Sequence, residues 1–141
     1  MNNQTIQINY HPKYKERYFF ILNDGTISNS IYENNDYDIN RYKIGNCFST
    51  KEKAQEKLNN IITYMELKRY AKEYNNDSLH WFNYDQKKYS IYYDIMLGWT
   101  EIVDQEFGRD MGGIYFTSRE LAQQAIKDIG NERIKALFKE D

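Results

Sequence analysis

Gly45-Asn46-Cys47-Phe48-Ser49-Thr50-Lys51-Glu52-Lys53-Ala54-Gln55 and Gly113-Ile114-Tyr115-Phe116-Thr117-Ser118-Arg119-Glu120-Leu121-Ala122-Gln123 share Gly, Phe, Glu, Ala and Gln at a constant offset of 68 residues. Each copy reads as the end of a strand, a capped turn and the start of a helix. Ser49 with Glu52, and Thr117 with Glu120, have the spacing of a capping box. In that motif the N-cap hydroxyl accepts from the N3 backbone N–H, and the N3 carboxylate accepts from the N-cap N–H. Phe48 and Phe116 then fall at N′, where a hydrophobic staple pairs them with Lys53 or Leu121 at N4. The second copy fits that staple better. Ala54 and Ala122 are small enough to let each helix lie close to what it covers. The duplication predicts two strand-strand-strand-helix repeats, over about 17–75 and 79–138, related by a pseudo-twofold axis.

Upstream of the first copy, Tyr18-Phe19-Phe20-Ile21-Leu22 reads as a strand, and Asn23-Asp24-Gly25 as the tight turn of a hairpin. The return strand covers Thr26 to Tyr32. Glu33 to Asp38 reads as a polar loop, and Ile44 to Phe48 as a short strand. At the N-terminus, Ile6, Ile8 and Tyr10 alternate with polar residues, the pattern of an added edge strand over residues 4–10. Downstream, Ala54, Leu58, Ile61, Ile62 and Met65 mark one face of a long helix from Thr50 to Tyr74. Leu67, Tyr70, Ala71 and Tyr74 continue that face with a shifted phase, which predicts a kink or a change of packing partner near residue 66.

The second half predicts strands at Leu79–Tyr84, Tyr89–Tyr93 and Met96–Val103, then a loop from Asp104 to Gly112. A helix follows over Ser118–Ile129, with Gly130 as its C′ residue. A last short helix is capped by Asn131 and carries Ile134, Leu137 and Phe138. Hairpins followed by helices give the class α+β: an antiparallel sheet with helices on one face. No linker rich in Pro, Gly or Ser divides the 141 residues, so a single domain around one shared core is expected.

Aromatic content of 16 %, with 14 Tyr and a single Pro, marks a folded chain. A net charge of −2 argues against a dedicated duplex-DNA binder. The lone Cys47 excludes an internal disulfide, and a strand-packing role fits it better than catalysis. With no secretory signal and no apolar run of membrane-spanning length, the expected location is the cytoplasm. The prominence of Asn, Ile, Lys and Tyr points to a low-GC genome.

The residues advertise little chemistry. His11 and His80 have no His or Cys at helical spacing, so no metal site or cofactor is expected. Asn34, Asp36 and Asp38 match the opening of a calcium loop, but Ile39 and Gly45 stand where glycine and glutamate are required. A loop begun at Asp104 fails in the same way, at Arg109 and Tyr115. No phosphate loop, GxGxxG or GxSxG is present. An acid/base carboxylate pair brought together by folding stays open as a third reading. The candidate interaction residues sit in two corresponding loops: Tyr37 and Arg41 in the first half, Phe107, Arg109 and Asp110 in the second. Arg and aromatic side chains are favoured interface anchors.

Tyr18 to Gly25, Gly45 to Gln55 and Gly113 to Gln123 resemble small uncharacterised proteins of phages and prophages of low-GC bacteria. The resemblance implies a non-enzymatic accessory protein that binds a host protein, with inhibition of a CRISPR-associated nuclease (an anti-CRISPR role) as one form. It transfers no catalytic residues. The alternative is a nucleic-acid or nucleotide-binding module that stacks bases on sheet tyrosines. Monomer and homodimer are both expected states, the dimer through an edge near residues 5–10.

Overall fold

Asp24 builds the first turn. Its carboxylate accepts from the Thr26 N–H at 2.9 Å and from the Thr26 hydroxyl at 2.7 Å, and Gly25 takes φ +81°. That turn joins β1 (Arg17–Ile21) to β2 (Ile27–Ile31), paired antiparallel with Ile21 opposite Ile27. The computed structural model describes residues 10–105 and 107–139; the strand expected over 4–10 lies, except for Tyr10, outside the described residues. The architecture is α+β. Among the described residues it has two antiparallel sheets, of two and three strands, and four helices. The chain divides into two compact units, residues 1–59 and 60–141.

In the first unit, β1 turns Tyr18 and Phe20 to one side, where they bury with Tyr32 and Cys47. Burial pushes the Cys47 thiol up to about 11. On the open side of β1, Phe48 exchanges two backbone bonds with Phe19, both 2.9 Å. One step along, the Asn46 side chain takes over from backbone: its Oδ1 accepts from Ile21 N and its Nδ2 donates to Ile21 O, each 2.8 Å. The strand expected at Ile44–Phe48 is therefore reduced to a single bridge. Ile44 instead ends helix α1 (Asp36–Lys43), and Gly45 turns the chain with φ +74°. That helix takes over the last three residues of the expected polar loop. Asn35 caps it by accepting from Asp38 N at 3.0 Å, and acidic residues in its first turn and basic ones in its last suit the helix dipole.

Helix α2 (Lys51–Asn75) runs 25 residues without a break, and the division between units falls inside it. Its expected change of phase has a physical reason. Ala54 is buried in the first unit, whereas Leu67 and Ala71 belong to the core of the second. Ile61 and Ile62 lie between those stretches and are exposed. The left-handed residues Asn76 and Asp77 stop the helix.

In the second unit, β3 (Lys88–Asp94) lies between β4 (Trp99–Gln105) and β5 (Tyr115–Phe116), antiparallel to both. A side-chain amide again completes an edge. Asn75 Nδ2 donates to Tyr115 O at 2.8 Å, and its Oδ1 accepts from Thr117 N at 3.0 Å. Helix α3 (Arg119–Ile129) ends where Gly130 adopts φ +111°, and α4 (Asn131–Ala136) follows. Phe116, Ala122, Ala125 and Ile134 bury with Leu67 and Ala71 as the core.

Several expectations need correction. The single sheet is two sheets, and buried apolar residues gather in two clusters, one per unit. The strand-strand-strand-helix repeat is not established, since α1 has no counterpart in the second unit and α4 none in the first. Both capping hydroxyls stand one residue later than expected: Thr50 Oγ1 accepts from Lys53 N at 3.2 Å, and Ser118 Oγ from Leu121 N at 3.1 Å. Lys53 and Leu121 thus occupy N3, so neither helix has the capping-box glutamate there. Leu79–Tyr84 is not a strand. Gln86 closes that segment instead, with Nε2 donating to Ser78 O at 2.6 Å and Oε1 accepting from His80 N at 2.7 Å. Asn131 does not cap α4; its Oδ1 accepts from the Thr100 hydroxyl at 3.0 Å.

Candidate binding surfaces

In the first unit, α1 places Tyr37 and Arg41 one turn apart, and the two side chains have different fates. Tyr37 is exposed. Arg41 lies over the Phe20 ring at 3.6 Å and donates to the Tyr18 hydroxyl at 2.8 Å. Tyr18 in turn donates to Asp38 Oδ1 at 2.6 Å, and the Glu33 N–H donates to Asp38 Oδ2 at 2.8 Å. Asp38 is 1 % exposed, 4.0 Å from the Arg41 guanidinium. Burial alone would raise the Asp38 pKa; the bonds from Tyr18 and backbone N–H groups, with Arg41, outweigh it and hold the carboxyl below its usual range. Burial, then the bond to Asp38, pushes the Tyr18 phenol up to about 12. Arg41, expected to face a partner, is thus a structural cation that neutralises a buried acid. Tyr37 and the partly exposed Arg41 both line an open cleft that Phe20 also lines.

The second unit holds the other three candidates. Phe107 is exposed, its ring 6.0 Å from that of Tyr84. Arg109 lies 4.8 Å over the Trp81 ring. Asp110 ties its own loop together: its N–H donates to the Tyr115 hydroxyl at 2.6 Å, and its carboxylate accepts from Tyr115 at 3.2 Å and Gln105 at 3.3 Å. Trp81 meets the Tyr115 ring edge-on at 4.8 Å. The ammonium of Lys88, a fully buried side chain, lies 5.5 Å from the Trp81 ring and donates to the Asn83 and Gln86 carbonyls at 3.0 and 2.8 Å. The Gln86 bridge and the buried lysine hold the segment that carries Trp81.

The sheet tyrosines offer less to a ligand than their number promises. Tyr89 packs against the core and Tyr93 stacks on Phe138 at 5.8 Å, leaving Tyr92 half exposed. Among the described residues, no three His, Cys, Asp or Glu side chains are grouped to hold a metal ion. No helix among them is long and apolar enough to cross a membrane.

Sequence reading missed the most exposed apolar feature of the second unit. Met96–Val103 reads as a strand because it is apolar, yet the β3–β4 turn occupies Ile95–Gly98. The Asp94 carboxylate accepts from Leu97 N and the Asp94 carbonyl from Gly98 N, both at 2.8 Å, while Gly98 takes φ +72°. This turn lifts Ile95 (86 % exposed), Met96 (95 %), Leu97 (53 %) and Trp99 (50 %) into solvent. Trp99 Nε1 donates to Glu101 at 2.8 Å, which fixes the indole. The signal that could have revealed it is Asp94 four residues before Gly98, an acceptor and a left-handed position bracketing a turn. No protein-family model, curated protein or solved structure matches the chain.

Proposed function

We propose that this chain is a non-enzymatic binding module that inserts the β3–β4 turn into an apolar pocket of a partner protein. One observation carries the reading: Ile95, Met96, Leu97 and Trp99 stand together in solvent on a turn held by its own hydrogen bonds. Exposing four large apolar side chains at one place costs solubility, and contiguous patches of this kind mark interaction sites. A rigid turn loses little entropy on docking, and tryptophan is over-represented among residues that dominate binding energy. Asp94 and Glu101 flank the turn, so the complementary pocket carries a cationic rim.

The resemblance gives the proposal its specific form: a phage or prophage accessory protein acting on a host protein, with CRISPR-associated nucleases as the first class to try. A photo-crosslinking amino acid in place of Met96 identifies the partner, and Kd is then measured with the purified proteins. Met96→Asp is expected to weaken binding at least about 30-fold, the effect of losing a hot spot of about 2 kcal/mol. Its melting profile should match the unsubstituted protein, because Met96 is wholly exposed. A partner bound equally well by the variant, or crosslinks to lipid alone, would overturn the reading.

A further inference from the structure

The second unit contains a separate cleft of about 300 Å³ whose chemistry differs from that of the apolar turn. Tyr64, Lys68 and Lys72 recur every fourth residue along one face of α2, and Trp81, Arg109 and Ile114 form much of the remaining wall. None of its lining residues is Asp or Glu. Lys87, Arg119, Arg133 and Lys135 of the same unit each face a carboxylate, whereas among the described residues Lys68, Lys72 and Arg109 form no ion pair. Lys68 and Arg109 instead rest by aromatic faces, 6.0 Å from the Tyr64 ring and 4.8 Å from the Trp81 ring. Gly112 and Gly113 complete the lining, and the Tyr115 ring packs so close to Gly113 that an added Cβ would stand 2.8 Å from it. Tyr64 donates to Gly112 O at 2.9 Å.

Three cations without carboxylates call for an anion, and aromatic walls between them call for a flat ring on the same molecule. We propose that this cleft binds a nucleotide unit. The phosphate lies among Lys68, Lys72 and Arg109, and the base lies against the Tyr64 and Trp81 wall. The unit comes either from a free mononucleotide or from a single strand, since both present the same phosphate and base. The net charge of the chain is no obstacle, because the field that steers a ligand is set by the local lining.

Trp99→Phe leaves Trp81 as the sole indole, so emission then reports on the cleft. Titration with AMP and with a ten-residue oligothymidylate at low salt is expected to change Trp81 emission. Equal affinity for the two marks a mononucleotide site, and tighter oligothymidylate binding marks a strand site; either supports the proposal. If a strand engages all three cations, log K against log salt falls with a slope of about −2, at about 0.7 per phosphate. Lys68→Ala with Lys72→Ala should weaken binding at least about tenfold without altering the melt, because both side chains are exposed. No emission change with either ligand, or equal affinity in the lysine variant, would overturn the proposal. Competition by polyglutamate as strong as by oligothymidylate would also overturn it, since the site would then read charge without a base.

Discussion

Asp38→Ala is expected to destabilise the first unit by about 3–5 kcal/mol, the usual cost of removing one partner from a buried ion pair. The loss is large because Asp38 serves several groups at once. Its oxygens accept from Tyr18 and from the Glu33 N–H, and its charge balances Arg41. The alanine variant leaves a buried phenol and a backbone donor without their acceptor, and a guanidinium without its counter-charge. Asp38→Asn keeps an oxygen for Tyr18, so its cost should be smaller, about 1–2 kcal/mol.

The same carboxylate sets an acid limit. Its folded pKa is depressed, so its contribution is present above the unfolded value of about 3.9 and is lost as pH falls through the folded value. The Tyr18 phenol works in the opposite sense: its folded pKa is raised, so its contribution is present below about 10 and is lost as pH climbs through about 12. Both tryptophans lie in the second unit, so amide exchange at Phe19 and Phe20 is the appropriate readout. Protection there should decline below about pH 4 in the native sequence and change less in Asp38→Asn. An Asp38→Ala protein with native exchange would mean that the buried acid contributes nothing.

Phe116→Ala should cost the second unit about 3–5 kcal/mol, because the ring is wholly buried between β3 and the helical core. Its sequence counterpart, Phe48, is only half-buried and forms an isolated bridge, so Phe48→Ala should cost about half as much. Urea melts followed by tryptophan emission suit the first variant, and circular dichroism the second. Equal costs would mean that the two phenylalanines carry equal structural weight despite their different burial.

That contrast shows where sequence reading succeeds and where it stops. Local signals were legible: Asn23-Asp24-Gly25 gives the hairpin, the apolar stripe gives α2, and Gly130 ends α3. The class α+β follows from them. What was illegible depends on partners distant in sequence. Residues 33–38 read as loop because they are polar, yet α1 begins within them at Asp36, and its Asp38 is satisfied by a tyrosine 20 residues away. Trp81 and Phe82 favour strands by type, but the Gln86 side chain occupies backbone groups that a ladder would need. Among the candidate site residues, Phe107 and Tyr37 are exposed as loop reading suggests. Arg41 is drawn towards a buried acid, whereas Asp110 stays exposed while its carboxylate accepts from the buried Tyr115 phenol. The apolar turn escaped notice because hydropathy alone cannot tell a core strand from a solvent-facing tip.

Cys47 adds a practical consequence. It is the chain's sole thiol, shut inside the first unit and protonated at neutral pH. A maleimide can reach it only in molecules whose first unit has momentarily opened. The rate of alkylation is therefore a stopwatch for that opening, readable by mass spectrometry without adding any probe.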